Sequence, residues 1–303
     1  MANNMGLKSK GITRGYPWLS RRFGRLPAYI ALLRPFTLVA PLVAGVIGVM
    51  TPIRQITFNN IETAVYIGIT LALCQGAGQC LNQYADAELD KQIKPYRPIP
   101  SGLVSREEAL GLSWLLAMFA VGRAFTIGVF FGLMVLVLLF FAVFYSLAPF
   151  SPRKLDPLVN TAWMAVSRGF IPMYAVWSIY GDTGIGLRYA LLALLWVMGF
   201  QATKDVSDVE GDRRFGIKTI PGVYGMKGLL FTMGVCTTVY TIIAAYFGLY
   251  PMLLILPLAA VAMLTTNKKS GLTENTYSWT AFYIGLGMLY VLIFLSFHLN
   301  LTP

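Results

Sequence analysis

Several runs of this 303-residue chain, uncharged or nearly so, exceed the roughly 20 apolar residues needed to cross a bilayer, and that property removes most folds from consideration. The expected fold class is all-α, a polytopic membrane protein. Nine transmembrane helices are expected, at about 27–50, 61–84, 106–122, 125–147, 157–180, 185–204, 226–247, 250–266 and 276–298. Two apolar stretches are too long for one crossing, and they are divided at Gly122-Arg123 and at Gly248-Leu249-Tyr250-Pro251 because each carries a breaker. No long polar linker interrupts the series. A single transmembrane domain over 27–303 is expected, preceded by a basic segment over 1–26 that has no cleavable signal.

The formal charge is +11, which in a soluble protein would raise the question of nucleic acid. Here no nucleic acid is expected, because of where the bases stand. All but Arg54, Arg123, Arg168 and Arg188 of the 24 Lys and Arg lie in or beside the N-terminal segment and the connections after spans two, four, six and eight. Such a bias marks those segments as cytoplasmic, placing a multi-pass protein in the cell membrane with a cytoplasmic N-terminus. Cys74, Cys80 and Cys236 all fall in apolar runs and read as small core residues.

Two polar stretches stand out against this background. Leu81 to Gly102 places Asn82, Asp86 and Asp90 at i, i+4 and i+8, one helical face with a rise of about 6 Å per step. Lys204 to Pro221 places Asp205, Asp208 and Asp212 at i, i+3 and i+7, again one face, with Arg213, Arg214 and Lys218 following. Carboxylates repeated down a face repel unless a cation lies between them, and Mg²⁺ takes oxygen ligands. Two acidic faces edged with bases suit a diphosphate clamped by Mg²⁺, with Lys and Arg on its remaining oxygens. Spans two and six differ by an even number, so both stretches emerge on one side and can line one cavity mouth. An ordinary solvated loop would not be expected to repeat helical spacing and flanking bases twice.

Asn82-x-x-x-Asp86-x-x-x-Asp90 followed by Arg97-Pro98-Ile99-Pro100-Ser101-Gly102, together with Lys204-Asp205-x-x-Asp208-x-Glu210-Gly211-Asp212-Arg213, resembles the UbiA superfamily of intramembrane prenyltransferases. The resemblance extends to Arg34-Pro35-Phe36-Thr37, to Tyr145-Ser146 with Arg153-Lys154, and to Ser167-Arg168-Gly169. It implies nine helices around a central cavity, Mg²⁺ dependence, and transfer of an isoprenoid from an allylic diphosphate, geranyl to geranylgeranyl or longer, to a lipophilic acceptor in membrane lipid. It also implies that Asn82, Asp86, Asp90, Asp208 and Asp212 hold the metal and diphosphate; the chlorophyll-synthase-like branch has an Asp at the Asp205 position and none at the Asp208 position, and as this chain has both, either one is a candidate for direct contact with the metal. Arg97-Pro98-Ile99-Pro100-Ser101-Gly102 and Glu210-Gly211-Asp212-Arg213 look more like the branch with chlorophyll synthases and archaeal digeranylgeranylglyceryl phosphate synthases.

Ionising an allylic C–O bond puts charge on the leaving diphosphate, which Arg97, Lys154, Lys204, Arg213 and Lys218 are candidates to neutralise, Arg97 and Lys204 foremost. Water would destroy the allyl cation, and Tyr84, Phe144, Tyr145 and Tyr174 are candidates to shield it, although aromatic residues more often simply pack. Arg34 is a candidate for the acceptor head group, as much as an interface anchor. The resemblance adds Tyr145 and Ser146 to the candidate substrate-binding set, and Asn160 and Arg168 complete it, since polar groups inside a span usually face a cavity or a partner. The expected function is Mg²⁺-dependent prenyl transfer to an aromatic acceptor of lipoquinone type, with a digeranylgeranylglyceryl phosphate synthase as the alternative. A cation-coupled transporter is the rival from another class, and it would place charges at mid-depth in discontinuous helices.

Overall fold

A chain whose backbone polar groups have no water to meet must satisfy them along each segment, and helices do so. The computed structural model describes residues 23–53, 55–147, 151–179, 182–266 and 276–301, and all regular structure among them is helical. Residues 1–22 of the basic N-terminal segment lie outside the described residues, as do Lys268 and Lys269.

The first expected span is bent by 58° between α1 (Leu26–Leu33) and α2 (Pro35–Met50). Pro35 lacks an N–H and crowds the residue before it out of the helical region. Arg34 accordingly takes φ 51, and its carbonyl accepts from both the amide and the hydroxyl of Thr37, each at 2.8 Å. Next comes α3 (Phe58–Ala85), which runs between α2 and α5 (Arg106–Ile127), with the short α4 (Ala87–Ile93) continuing beyond it. Helices α2 and α3 touch backbone to backbone, since a Cβ added at Gly45 would overlap the Cα of Gly68. Gly45→Val should therefore force the pair apart at a cost of at least about 1–3 kcal/mol. A lower midpoint in a detergent melting assay checks this; an unchanged midpoint would show that the contact can relax.

Helix α5 opens on a capping box in which Ser105 and Glu108 satisfy each other's amides. It runs unbroken through Gly122 and Arg123, contrary to the expected division there. Arg123 needs no loop because its guanidinium donates to Thr70 Oγ1 and the Tyr66 carbonyl and lies 3.6 Å from the Tyr66 ring centre. The chain breaks instead at Gly128, before α6 (Val129–Ser146).

Beyond α7 (Pro152–Leu155) the expected fifth span is a helix in three parts: α8 (Pro157–Ala165), a π-turn (Val166–Phe170) and α9 (Ile171–Ile179). The turn packs on α10 (Thr183–Phe200), and a Cβ at Gly169 would come within 2.6 Å of the Ala193 carbonyl. A 3₁₀ segment (Gln201–Ser207), α11 (Val209–Arg214), α12 (Ile220–Tyr246), a second 3₁₀ segment (Tyr250–Ile255), α13 (Leu256–Thr265) and α14 (Thr276–His298) follow. The break expected at Gly248 is present, with φ 68 there.

Six helices among the described residues are long and apolar enough to cross a bilayer, or seven with the bent pair counted as one. That measure does not reach nine: the expected spans over 157–180 and 250–266 are helical, but the first is interrupted by the π-turn and the second is shortened by its 3₁₀ start. The protein is nonetheless all-α and multi-pass. Its arrangement matters most at two places: α3 is the hub of the first half and α10 that of the second, packed by Trp177, Tyr189, Trp196 and Tyr290. Both hub helices lead directly into the acidic stretches.

Candidate active site

Asp86 stands where α3 ends and α4 begins, yet the break does not disturb the expected face. The amides of Asp86, Asp90 and Lys94 still donate to carbonyls four residues back. Asn82, Asp86, Asp90 and Lys94 thus follow one another along a single wall. The second stretch departs from a uniform helix. Asp205 lies in the 3₁₀ segment, where residues three apart eclipse, so Asp208 stacks over it, and α11 then carries Asp212 one turn further. The two stretches meet where α11 crosses α4. Gly211 is the point of passage, since a Cβ there would overlap the Ile93 side chain.

One cavity is lined by both stretches and by the bases between them. Asp86 receives a two-pronged ion pair from Arg153, with one prong 2.7 Å long, and also accepts from Asn82 Nδ2 at 2.9 Å. Arg97 Nη1 spans both oxygens of Asp90 at 2.8 and 2.7 Å. Lys94 Nζ reaches across to Asp208 at 2.6 Å, and Lys204 pairs with its neighbour Asp205. Asp212, 9% exposed, is left without an ion pair among the described residues. Burial, with Asp205 close by, pushes its carboxyl up to about 7. Burial also outweighs the Arg97 guanidinium at Asp90 and holds that carboxyl above the usual carboxylate range.

Sequence reasoning singled out Lys154, but the base that enters the cavity is its neighbour Arg153. Its side chain is buried in the cavity wall and Ser151 Oγ accepts from its Nε at 3.2 Å, while Lys154 is exposed. Lys94 was missed too, although it continues the spacing of four from Asn82. Arg213 and Lys218 are also outside: Arg213 donates to the Gly222 carbonyl, and Lys218 Nζ to the Leu155 carbonyl. Lys218 serves through its backbone, donating from N to the Arg153 carbonyl at 2.7 Å and accepting from Asn160 Nδ2 at 2.9 Å.

Arg34, Asn160, Arg168, Tyr145 and Ser146 all line the cavity. Arg34 donates to Gln79 at 3.5 Å, whereas Arg168, in the π-turn, makes no hydrogen bond or ion pair among the described residues. Of the four aromatic residues expected to shield a cation, only Tyr145 reaches the cavity, with Arg153 5.4 Å from its ring centre. Tyr84 is on the other side of α3 under Arg106, Phe144 packs on Phe140, and Tyr174 stacks on Phe170. The aromatic lining comes instead from Phe141 and from Trp279, Phe282, Tyr283 and Tyr290 of α14.

Among the described residues no three carboxylate, His or Cys side chains converge closely enough to hold a metal ion, because bases separate the acids. The donors still fit a hard cation in kind: all are oxygens, they come from two facing walls, and Asp212 is buried with no ion pair among the described residues. Chemically, the site can take a strongly charged anion at the acid and base cluster and an apolar chain below it.

A family model described as UbiA prenyltransferase family matches residues 38–297. The digeranylgeranylglyceryl phosphate synthase of Thermococcus gammatolerans is 29% identical over 80% of this chain and 89% of its own length. That of Thermococcus kodakarensis is 30% identical over 72% and 76%. The bacteriochlorophyll synthase 34 kDa chain of Chloroflexus aurantiacus is 30% identical over 73% and 70%. Among solved structures, a UbiA homolog from Archaeoglobus fulgidus bound to GPP and Mg²⁺ superposes with a TM-score of 0.69 at 21% identity, covering 90% of this chain and 99% of that one. A digeranylgeranylglyceryl phosphate synthase gives 0.62 at 20%, covering 91% and 98%.

Proposed function

This chain belongs to the UbiA prenyltransferase family, and we propose that it joins an isoprenoid from an allylic diphosphate to the hydroxyl of a glyceryl phosphate lipid. Family membership makes it an intramembrane prenyltransferase and not a transporter. The acceptor is the finer step, and one observation carries it: Arg168 lines the cavity from within a span and makes no ion pair among the described residues. A guanidinium so placed favours an anionic group in its ligand, distinct from the diphosphate served by the clustered bases. The names of the Thermococcus relatives describe a glyceryl phosphate carrying two geranylgeranyl groups, which agrees.

In this reading Arg97, Arg153, Lys94 and Lys204 exchange their acids for the diphosphate oxygens. The breaking C–O bond leaves its electron pair on a group these bases already face. The acceptor oxygen forms the new bond to the allylic carbon, and its proton leaves with the released diphosphate. Asn82, Asp86, Asp90, Asp205, Asp208 and Asp212 would hold Mg²⁺, which when bound supplies Lewis-acid neutralisation of the leaving group. Tyr145 and Ser146, which line the cavity, would border the reacting carbon, and Phe141 with the α14 rings would keep water from it.

A second reading, the aromatic acceptor expected from the sequence, is favoured by the Trp279, Phe282 and Tyr283 cluster in the same wall, where Trp279 and Phe282 stack with centroids 5.0 Å apart. Purified protein incubated with labelled geranylgeranyl diphosphate and either geranylgeranylglyceryl phosphate or dihydroxynaphthoate separates the two. Product from the glyceryl phosphate alone is expected; product from the aromatic alone would overturn the first reading. Chelation with EDTA should abolish either product and added Mg²⁺ restore it, whereas turnover persisting in EDTA would remove the metal from the scheme.

A further inference from the structure

Buried polar side chains are almost always hydrogen-bonded, so an unbonded one at a cavity wall points to a ligand. Gln201 is such a residue. It is 2% exposed, and neither its amide nitrogen nor its amide oxygen has a hydrogen-bond partner among the described residues. Trp177 Nε1 and Ser296 Oγ share that condition, but of the three only Gln201 lines the cavity. Neither family motif includes this position.

We propose that Gln201 holds the attacking hydroxyl of the acceptor, taking its proton side on Oε1 and its lone-pair side from Nε2. The chemistry of the amide selects the group. It offers a donor and an acceptor side by side, and an ionised phosphate or carboxylate can meet only the donor. A hydroxyl meets both. The surroundings point the same way, since Phe282, Leu286 and Tyr290 of α14 line the same cavity and the 3₁₀ segment packs on that helix. Position along the chain supplies the register. Gln201 precedes Lys204 by one 3₁₀ turn, about 6 Å deeper than the base that faces the diphosphate. An allylic carbon is bonded directly to a diphosphate oxygen, so it would lie at that depth. Fixing the hydroxyl there leaves one lone pair free to meet the carbon.

This inference rests on the hydroxylic acceptor of the proposed function and deepens it. It is tested with Gln201→Met, which keeps length and loses both polar atoms, and with an acceptor in which the hydroxyl is replaced by hydrogen. Acceptor kcat/KM should fall roughly 10- to 100-fold in the variant, the range expected for a lost hydrogen bond at a buried partner. Affinity for a thio-substituted donor should stay within about twofold. Wild type should bind the hydroxyl acceptor about tenfold better than the deoxy analogue, and Gln201→Met should bind the two alike. Normal acceptor kcat/KM in a variant that still binds donor overturns the proposal. Where Gln201→Met does not fold, equal binding of the two acceptors by wild type overturns it as well. Failure of wild type to use any hydroxylic acceptor would instead reject the functional reading, and this inference with it.

Discussion

Asp212→Asn is expected to give a folded protein whose turnover has dropped by about a thousandfold or more. The carboxylate is buried within α11, near Asp205 and without an ion pair among the described residues. A negative charge kept in such a place opposes folding, and it is retained where binding or catalysis needs it. Asparagine has the same shape and no charge. The melting midpoint should therefore equal or exceed that of wild type while labelled product disappears, the pattern of a site held against stability. Near-normal turnover would refute a role for Asp212 at the diphosphate end.

Arg153→Met should do the reverse to stability. Arg153 and Asp86 are 7% and 8% exposed and joined by two hydrogen bonds. Removing one member strands a buried charge, at about 3–5 kcal/mol. Adding Asp86→Asn to that variant should recover part of the loss, because the stranded charge goes too, but no turnover should return. Lys154→Ala, one residue along and exposed, serves as the control and should melt and react like wild type. Equal losses from Arg153→Met and Lys154→Ala would show that the pair does not organise the cavity.

The hydropathy of the chain located its helices well, since α3 and α14 lie within a few residues of the expected spans. It failed at Arg123, where a charge read as a loop is satisfied inside the bundle by Tyr66 and Thr70. It also could not foresee the π-turn, because one extra residue in a turn leaves no mark on an apolar run. In the site, the i, i+4 spacing of Asn82, Asp86 and Asp90 survives the break at Asp86, so the three follow one wall of the cavity. The bases were harder. Lys154 and Arg153 are adjacent and alike in charge, and only the orientation of a four-residue helix decides which one faces inward. Gln201 carried no signal in the sequence, because its distinction is that its buried amide meets no partner among the described residues.

The elbow at Arg34 has a mechanical meaning. The arm on one side is pinned to α3 where Gln83 donates to the Leu32 carbonyl, and the arm on the other side is pinned to the same helix at Gly45 and Gly68. Two pins on one strut make a triangle, which cannot change its angles without breaking a side. The guanidinium at the apex is thereby aimed by the frame around it, so a substitution at Gly68, far from any substrate, would loosen the aim of Arg34 before it unfolded the protein.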